Sequence, residues 1–228
     1  LVLSNIWAEP LDVVGALPTE QLVWGFPQAG GGFGEDGALH GGLLRGIIFG
    51  TLEAPPTGRD QTVRQTFRQA GFRIREEPNF RGWLWIHFAA DAGMHSQGLR
   101  VGSLSKMVGS TSGFRQALLT TRELLPLLTA RGIDLRRHRK DVLLYRAPAW
   151  LTSAFLAWAT TSIPFARRAL QAHADPDAEE PRAVCRDALA EARRLGVPAP
   201  RLEAAEPTFA SAVISAVIPQ RKTERARA

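Results

Sequence analysis

The spacing of apolar positions along the chain changes near residue 78. Before that point, short apolar runs typical of strands alternate with two segments of helical spacing. The strands are predicted at 1–4, 21–26 and 72–74, and the helices at 10–16 and 59–70. This order of elements is typical of an α/β sheet. We therefore predict a first region, residues 1–78, of the α/β class.

After residue 78 the apolar positions keep helical spacing almost throughout. Helices are predicted at 79–97, 114–131, 134–146, 149–172 and 179–196. The last of them ends in Gly196-Val-Pro-Ala-Pro, a sequence that stops a helix. We expect an all-α domain over residues 79–215 and a basic tail at 216–228.

A glycine-rich stretch at residues 25–37, GFPQAGGGFGEDG, fits the pattern of a dinucleotide-binding loop. Such a loop needs a following helix whose N-terminal amides face the phosphates. The next segment instead contains four glycines and Ile47-Ile48-Phe49, which favour a strand. Glu35 and Asp36 would also repel a pyrophosphate. We predict a glycine-rich connection between two strands rather than a phosphate site.

The net charge of +6 over 228 residues indicates an affinity for anions, although the basic groups contain no interleaved aromatic residues of the kind that bind nucleic acid. The single cysteine, Cys185, excludes an internal disulfide. The start of the chain does not resemble a signal peptide, and we expect a cytoplasmic protein. Residues 147–166 carry no charge. Two prolines and five Ser/Thr residues there favour a buried or interface helix over a membrane contact.

Three polar residues of the predicted helix 79–97 are candidates for chemistry. His87, Asp91 and His95 recur every four residues and share one face. Shared metal binding is unfavoured, because two histidines eight residues apart are separated by about 12 Å along a helix. A catalytic row lining a cleft and a solvated helix face both remain open.

A second cluster lies around the start of the last predicted helix. It comprises His173, Asp175, Asp177, Glu179 and Glu180. Acidic residues at this position stabilise the helix dipole, and one of them is also a candidate functional carboxylate.

These segments together resemble the ketopantoate reductase family (2-dehydropantoate 2-reductase and its relatives). The resemblance rests on LVLSN, on LVWGFPQAGGGFGEDGALHGGLL, on GWLWIHFAADAGMH and on EEPRAVCRDALAEARRLGVPAP. It covers about residues 1–205. It implies the last part of a Rossmann-type nucleotide-binding domain followed by an all-α domain, with the family's phosphate-binding turn expected upstream of LVLSN and cofactor affinity poor without it.

The resemblance also implies roles for particular residues. Asn5 corresponds to the family's asparagine that contacts cofactor and substrate, and Glu180 to its active-site glutamate, with Glu179 as a one-residue alternative. On the helix 79–97 the family has a lysine that acts as general acid and then two asparagines. This chain has His87, Asp91 and His95 there. Histidine, with a reference pKa of about 6.5, suits proton delivery near neutrality.

The implied function is NADPH-dependent reduction of a 2-keto acid, a reaction of pantothenate biosynthesis in this family. His87 would donate the proton, Glu180 would assist at the active site, Asn5 would contact the cofactor, and Asp91 and His95 would contact the substrate. No metal, nucleic acid or membrane partner is expected, and a homodimer is left open. The alternative is a non-catalytic helical module for binding or dimerisation that has lost its cofactor domain.

Overall fold

The computed structural model describes residues 1–33, 37–52, 55–175 and 178–210. The strands are β1 (Val2–Leu3), β2 (Trp24–Phe33), β3 (Leu39–Gly50) and β4 (Arg73–Glu77). The helices are α1 (Pro10–Val14), α2 (Gly58–Gln69), α3 (Phe80–Val101), α4 (Thr111–Ala130), α5 (Arg139–Arg146), α6 (Ala149–Ser162), α7 (Pro164–Gln171), α8 (Glu179–Arg194) and α9 (Pro200–Ala205). An α/β region is thus followed by helices, as predicted.

The four strands form one mixed sheet in the order β1-β2-β3-β4. The outer pairs β1/β2 and β3/β4 are parallel, and the central pair β2/β3 is antiparallel. The glycines at 30–32 belong to β2, so this strand is longer than predicted, and a strand rather than a helix follows them. Glu35 and Asp36 lie outside the described residues. The predicted connection between strands is therefore a long hairpin.

Apolar side chains cover both faces of the sheet. On one face, Val23, Ile47 and Phe49 pack against the apolar side of α2. On the other, Trp24 and Ile48 pack against the first turns of α3. The helix α2 begins with a capping box formed by Thr57 and Asp60 and ends before Gly71, whose φ of 84° suits glycine. The sheet is thereby held between α2 and the helical region.

The core of the helical region lies where α3 crosses α4 and α8. Leu124, Leu128 and Ala188 are fully buried there. Gly93 allows the close approach of α4, because a Cβ at this position would come within 2.1 Å of Thr121 Oγ1. Burial on this scale stabilises each leucine by about 1.5–3 kcal/mol.

Arg131, at the end of α4, fixes the loop that follows β1. Its guanidinium donates to the carbonyl of Trp7 at 2.7 Å. It also lies over the rings of Trp7 and Trp85, at 4.0 and 3.6 Å from their centroids. The loop carrying Asn5 is therefore attached to the helical core as well as to the sheet.

Two predicted helices differ from the structure. The helix predicted at 149–172 is two helices, because Pro164 has no N–H to continue the first and begins α7 instead. The helix predicted at 134–146 begins only at Arg139. The predicted tail at 216–228, with residues 211–215 before it, lies outside the described residues.

Candidate functional site

A cleft of about 490 Å³ lies between the sheet and the helical region. All five candidate residues from the sequence line it: Asn5, His87, Asp91, His95 and Glu180. They come from the end of β1, from one face of α3 and from the start of α8. The helix α7 supplies the remaining wall through Phe165, Ala169 and Leu170. The structure thus brings together residues up to 175 positions apart in the chain.

Asp91 contacts both His87 and Asn5 in this cleft. The Nε2 atom of His87 lies 3.4 Å from Asp91 Oδ2, and the side-chain amide of Asn5 donates to the same oxygen at 2.8 Å. Asp91 therefore orients both neighbouring side chains. Since Nε2 faces Asp91, Nδ1 is the ring nitrogen left for a bound molecule. His87 and Asp91 are each partly exposed, at 34% and 26% of their side chains.

Aromatic contacts fix the plane of the His87 ring. It stacks on Trp83, with centroids 5.3 Å apart and planes 12° apart, and meets Phe26 edge to face at 4.6 Å. Trp83 is buried, yet it also packs against this histidine. The guanidinium of Arg75 lies 5.8 Å from the Trp83 ring centroid. Arg75 therefore places a cation on the same indole as His87.

Asn5 retains an unused hydrogen-bonding capacity. Its Oδ1 atom is buried and has no hydrogen-bond partner in the part of the chain that the structure describes. The Asp91 carboxylate fixes the orientation of the amide, because only Nδ2 can donate to it. An unsatisfied buried acceptor costs about 1–3 kcal/mol. A hydroxyl or amide donor of a bound molecule would remove that cost.

His95, two turns beyond His87, is in a different state. It is 7% exposed, and its Nδ1 atom is buried with no hydrogen-bond partner within the described ranges. Burial lowers the pKa of His95 to about 4, and the charges of His173 and His87 act in the same direction while Asp91 opposes them. His95 is consequently neutral at physiological pH and does not act as a proton donor there.

A second cavity of about 310 Å³ adjoins the cleft at His95, His173 and Glu180, which line both. Its other walls include Leu99, Leu104 and Pro181. The His173 ring reaches over β2 because position 30 is glycine: a Cβ there would stand 3.0 Å from His173 Cε1. The two histidines lie 6.1 Å apart between centroids. They mark the passage between the two cavities.

The two neighbouring glutamates at the start of α8 differ in position. Glu180 lines both cavities, whereas Glu179 lines only the second and forms an ion pair with Arg186. Glu180 is therefore the carboxylate of this pair that faces the cleft. Asp175 also lines the second cavity, while Asp177 lies outside the described residues.

The described residues contain neither a candidate metal site nor a candidate membrane-spanning helix. No group of three or more His, Cys, Asp or Glu side chains there has an arrangement that could hold a metal ion. Among the helices of residues 1–33, 37–52, 55–175 and 178–210, none combines the length and the apolarity needed to cross a bilayer.

No protein-family model, curated protein or solved structure matches this chain.

The sequence missed Arg75, Phe26 and His173 as residues of the cleft. Arg75 is followed by two glutamates and is typical of a surface strand. In the structure it donates to Glu77 at 3.0 Å and to Asp141 at 3.2 Å. Its position beside Trp83 depends on the docking of the sheet against the first turns of α3. No local signal in the sequence reports that docking.

Proposed function

We propose that this protein is an NADPH-dependent reductase of a 2-keto acid, similar to ketopantoate reductase, with His87 as the proton donor. The observation that carries the proposal is the single cleft shared by Asn5, His87, Asp91, His95 and Glu180. The family resemblance and the helical spacing indicate the same five residues from the sequence alone. In this proposal the sheet is the last part of a Rossmann-type domain.

The residues present fit the nicotinamide end of such a cofactor. Asn5 offers a buried, unpartnered carbonyl oxygen at the end of β1, and the carboxamide and ribose of a nicotinamide nucleotide carry the donors that it needs. The glycines of β2 lead into a strand and so do not form the phosphate loop. When bound, the cofactor would supply a hydride to the carbonyl carbon of the substrate.

Reduction of a carbonyl also needs a proton at the developing alkoxide, and His87 would deliver it from Nδ1. Asp91 contacts Nε2 on the opposite side of the ring and so orients the imidazole. The stacking on Trp83 and the edge contact with Phe26 keep the ring from rotating. His87 is thereby preorganised for donation, which is the property that general acid catalysis requires.

The substrate carboxylate would meet Arg75. Arg75 and His87 both line the cleft and both contact Trp83, so a keto acid bound in the cleft would lie near both side chains. Glu77 and Asp141 compensate part of the Arg75 charge, and Asp91 lies next to His87. We expect modest affinity for a simple keto acid. Glu180 and the neutral His95 would contact its hydroxyl or carbonyl groups.

The direct test is NADPH oxidation by the full-length gene product with a panel of 2-keto acids that includes ketopantoate. We expect reduction of at least one of them and a loss in kcat of about 100-fold or more in His87→Gln, the usual range for a general acid. Asp12→Asn, on exposed α1, is the matched control and should leave kcat unchanged. An unchanged kcat in His87→Gln, or no reduction of any keto acid by protein that binds NADPH, would refute the proposal.

A further inference from the structure

The helix α6 differs from an ordinary surface helix, because its small side chains face the core and its large apolar side chains face solvent. Its buried positions hold only small residues: Ala149, Thr152, Ser153, Ala157, Ala159 and Thr160. Its exposed positions include Trp150, Leu151, Phe155 and Trp158, with exposed fractions of 67%, 51%, 53% and 55%. A helix that packs once against a core places its large apolar residues inward. The outer side of α6 therefore has the composition of a second buried face.

The small residues of α6 allow it to pack closely on the helical region. Thr160 Oγ1 accepts a hydrogen bond from the amide of Gly109 at 3.1 Å and donates to the carbonyl of Leu156. Ala157 is buried against Leu104, Met107 and Phe114. Because this inner face is already satisfied, the outward direction of the aromatic residues does not result from a loosely docked helix.

The exposed area is of the size that a protein interface uses. An aromatic side chain buries 150–250 Å², so Trp150, Phe155 and Trp158 leave roughly 350 Å² of ring surface uncovered. A pair of such faces would bury about 700 Å² from these rings alone. Leu151 and Ile163 add to it, which approaches the 1,200–2,000 Å² of a stable interface. Residues 147–166 contain no charge that would have to be desolvated.

We propose that the α6 face, defined by Trp150, Leu151, Ala154, Phe155 and Trp158, binds a second copy of this chain across a two-fold axis. In an antiparallel pair of α6 helices centred between Ala154 and Phe155, Leu151 meets Trp158 of the second copy and Ala154 meets Phe155. These four exposed positions thus map onto one another, as an isologous interface requires, and Trp150 lies at the edge of the contact. Ala154, small and exposed at the centre, allows the two helices to approach closely.

The first test measures oligomeric state against concentration by analytical ultracentrifugation of the full chain. Wild-type protein is expected to be a dimer at micromolar concentration. Phe155→Glu should raise the dimer dissociation constant by at least about 100-fold, as loss of a central interface residue does. Leu17→Glu is the matched control, because it introduces the same charge at a residue outside the α6 face that is 57% exposed. It should leave the dimer dissociation constant unchanged. A monomeric wild type, or an unchanged dimer in Phe155→Glu, would overturn the proposal.

The second test is a disulfide crosslink across the axis. The native Cys185 is buried, so any crosslink that forms comes from the introduced surface cysteine. Ala154→Cys should form an intermolecular disulfide on mild oxidation, because only residues with Cα atoms about 4.4–6.8 Å apart can be bridged. Ala190→Cys, on the exposed side of α8, should not. Failure of Ala154→Cys to crosslink in a dimeric protein would refute this two-fold arrangement.

Two further measurements distinguish the second copy from a membrane and from residues 211–228 as the partner of the α6 face. Co-sedimentation of wild type with phosphatidylcholine–phosphatidylserine vesicles, lost in Phe155→Glu, would show a membrane contact in place of the dimer. A full chain that stays monomeric and dimerises only when it is shortened to end at Ala210 would show that residues 211–228 cover the face. We expect neither result. Both outcomes would count against the second copy, and none of these measurements depends on the reductase activity.

Discussion

His87 and His95 lie on the same face of α3, two turns apart, yet the structure gives them opposite properties. His87 is partly exposed, has a carboxylate at its Nε2 atom and stacks between aromatic rings. His95 is buried, its Nδ1 atom has no hydrogen-bond partner within the described ranges, and its pKa is lowered to about 4. Helical spacing alone therefore identifies a row of candidate residues, whereas the burial of each residue in the cleft determines which of them can carry a proton.

The largest expected difference between these two positions comes from placing a lysine at each. His95→Lys puts an ammonium group in an apolar site and should lower the free energy of unfolding by about 3 kcal/mol or more. His87→Lys keeps Asp91 as a partner and should change it by less than about 1 kcal/mol. Urea denaturation of both variants measures the difference. Equal destabilisation would contradict the assignment of His95 as buried and His87 as partly solvated.

The next effect is the pH dependence of stability. Because the pKa of His95 in the folded protein, about 4, lies below its reference value of 6.5, the unfolded chain binds more protons between these values. The contribution of His95 to stability is therefore complete above pH 6.5 and is lost as the pH falls towards 4. It amounts to about 2 kcal/mol between pH 7 and pH 5.

Denaturant unfolding at both pH values measures this contribution. His95→Gln should remove most of the 2 kcal/mol dependence, because glutamine does not titrate in this range. Leu17→Gln, at a residue that is 57% exposed and does not titrate, serves as the control and should leave the dependence unchanged. A pH slope that is the same in wild type and His95→Gln would contradict the burial-induced pKa shift.

Asp91 connects the His87 end of the cleft to Asn5, and its neutralisation should have an intermediate effect. Under the proposed reaction, Asp91→Asn removes the carboxylate that orients His87 through Nε2 and should lower kcat by about 10-fold. It also removes a negative charge near the substrate carboxylate, so KM for a keto acid should fall. Steady-state kinetics separate the two. A rise in KM with unchanged kcat would assign Asp91 to substrate binding alone.

The smallest effect is expected from the two glutamates at the start of α8. Glu180→Gln should raise KM by about 3-fold, as the loss of one exposed polar contact does, and leave kcat nearly unchanged. Glu179→Gln should change neither, because that carboxylate is paired with Arg186 and lines only the second cavity. The reverse result would move the functional carboxylate to Glu179.

Elements with a local physical cause can be predicted from the amino-acid sequence. Thr57 with Asp60 and Gly71 delimit α2, because caps act within one turn. The break at Pro164 is equally local, but the prediction from apolar spacing missed it because the apolar pattern runs through this residue. The helical spacing of His87, Asp91 and His95 was equally local. These features depend on interactions between residues that are close in the sequence, so a sequence pattern can predict them.

Which candidate residues meet, and in what protonation state, depends on tertiary packing. The contact between Asn5 and Asp91 joins residues 86 positions apart, and the choice of Glu180 over Glu179 depends on how the start of α8 faces α3. The neutral state of His95 depends on β2, α3 and the His173 segment closing around it. Burial and long-range charge are properties of the packed molecule, because both depend on residues that are distant in the chain.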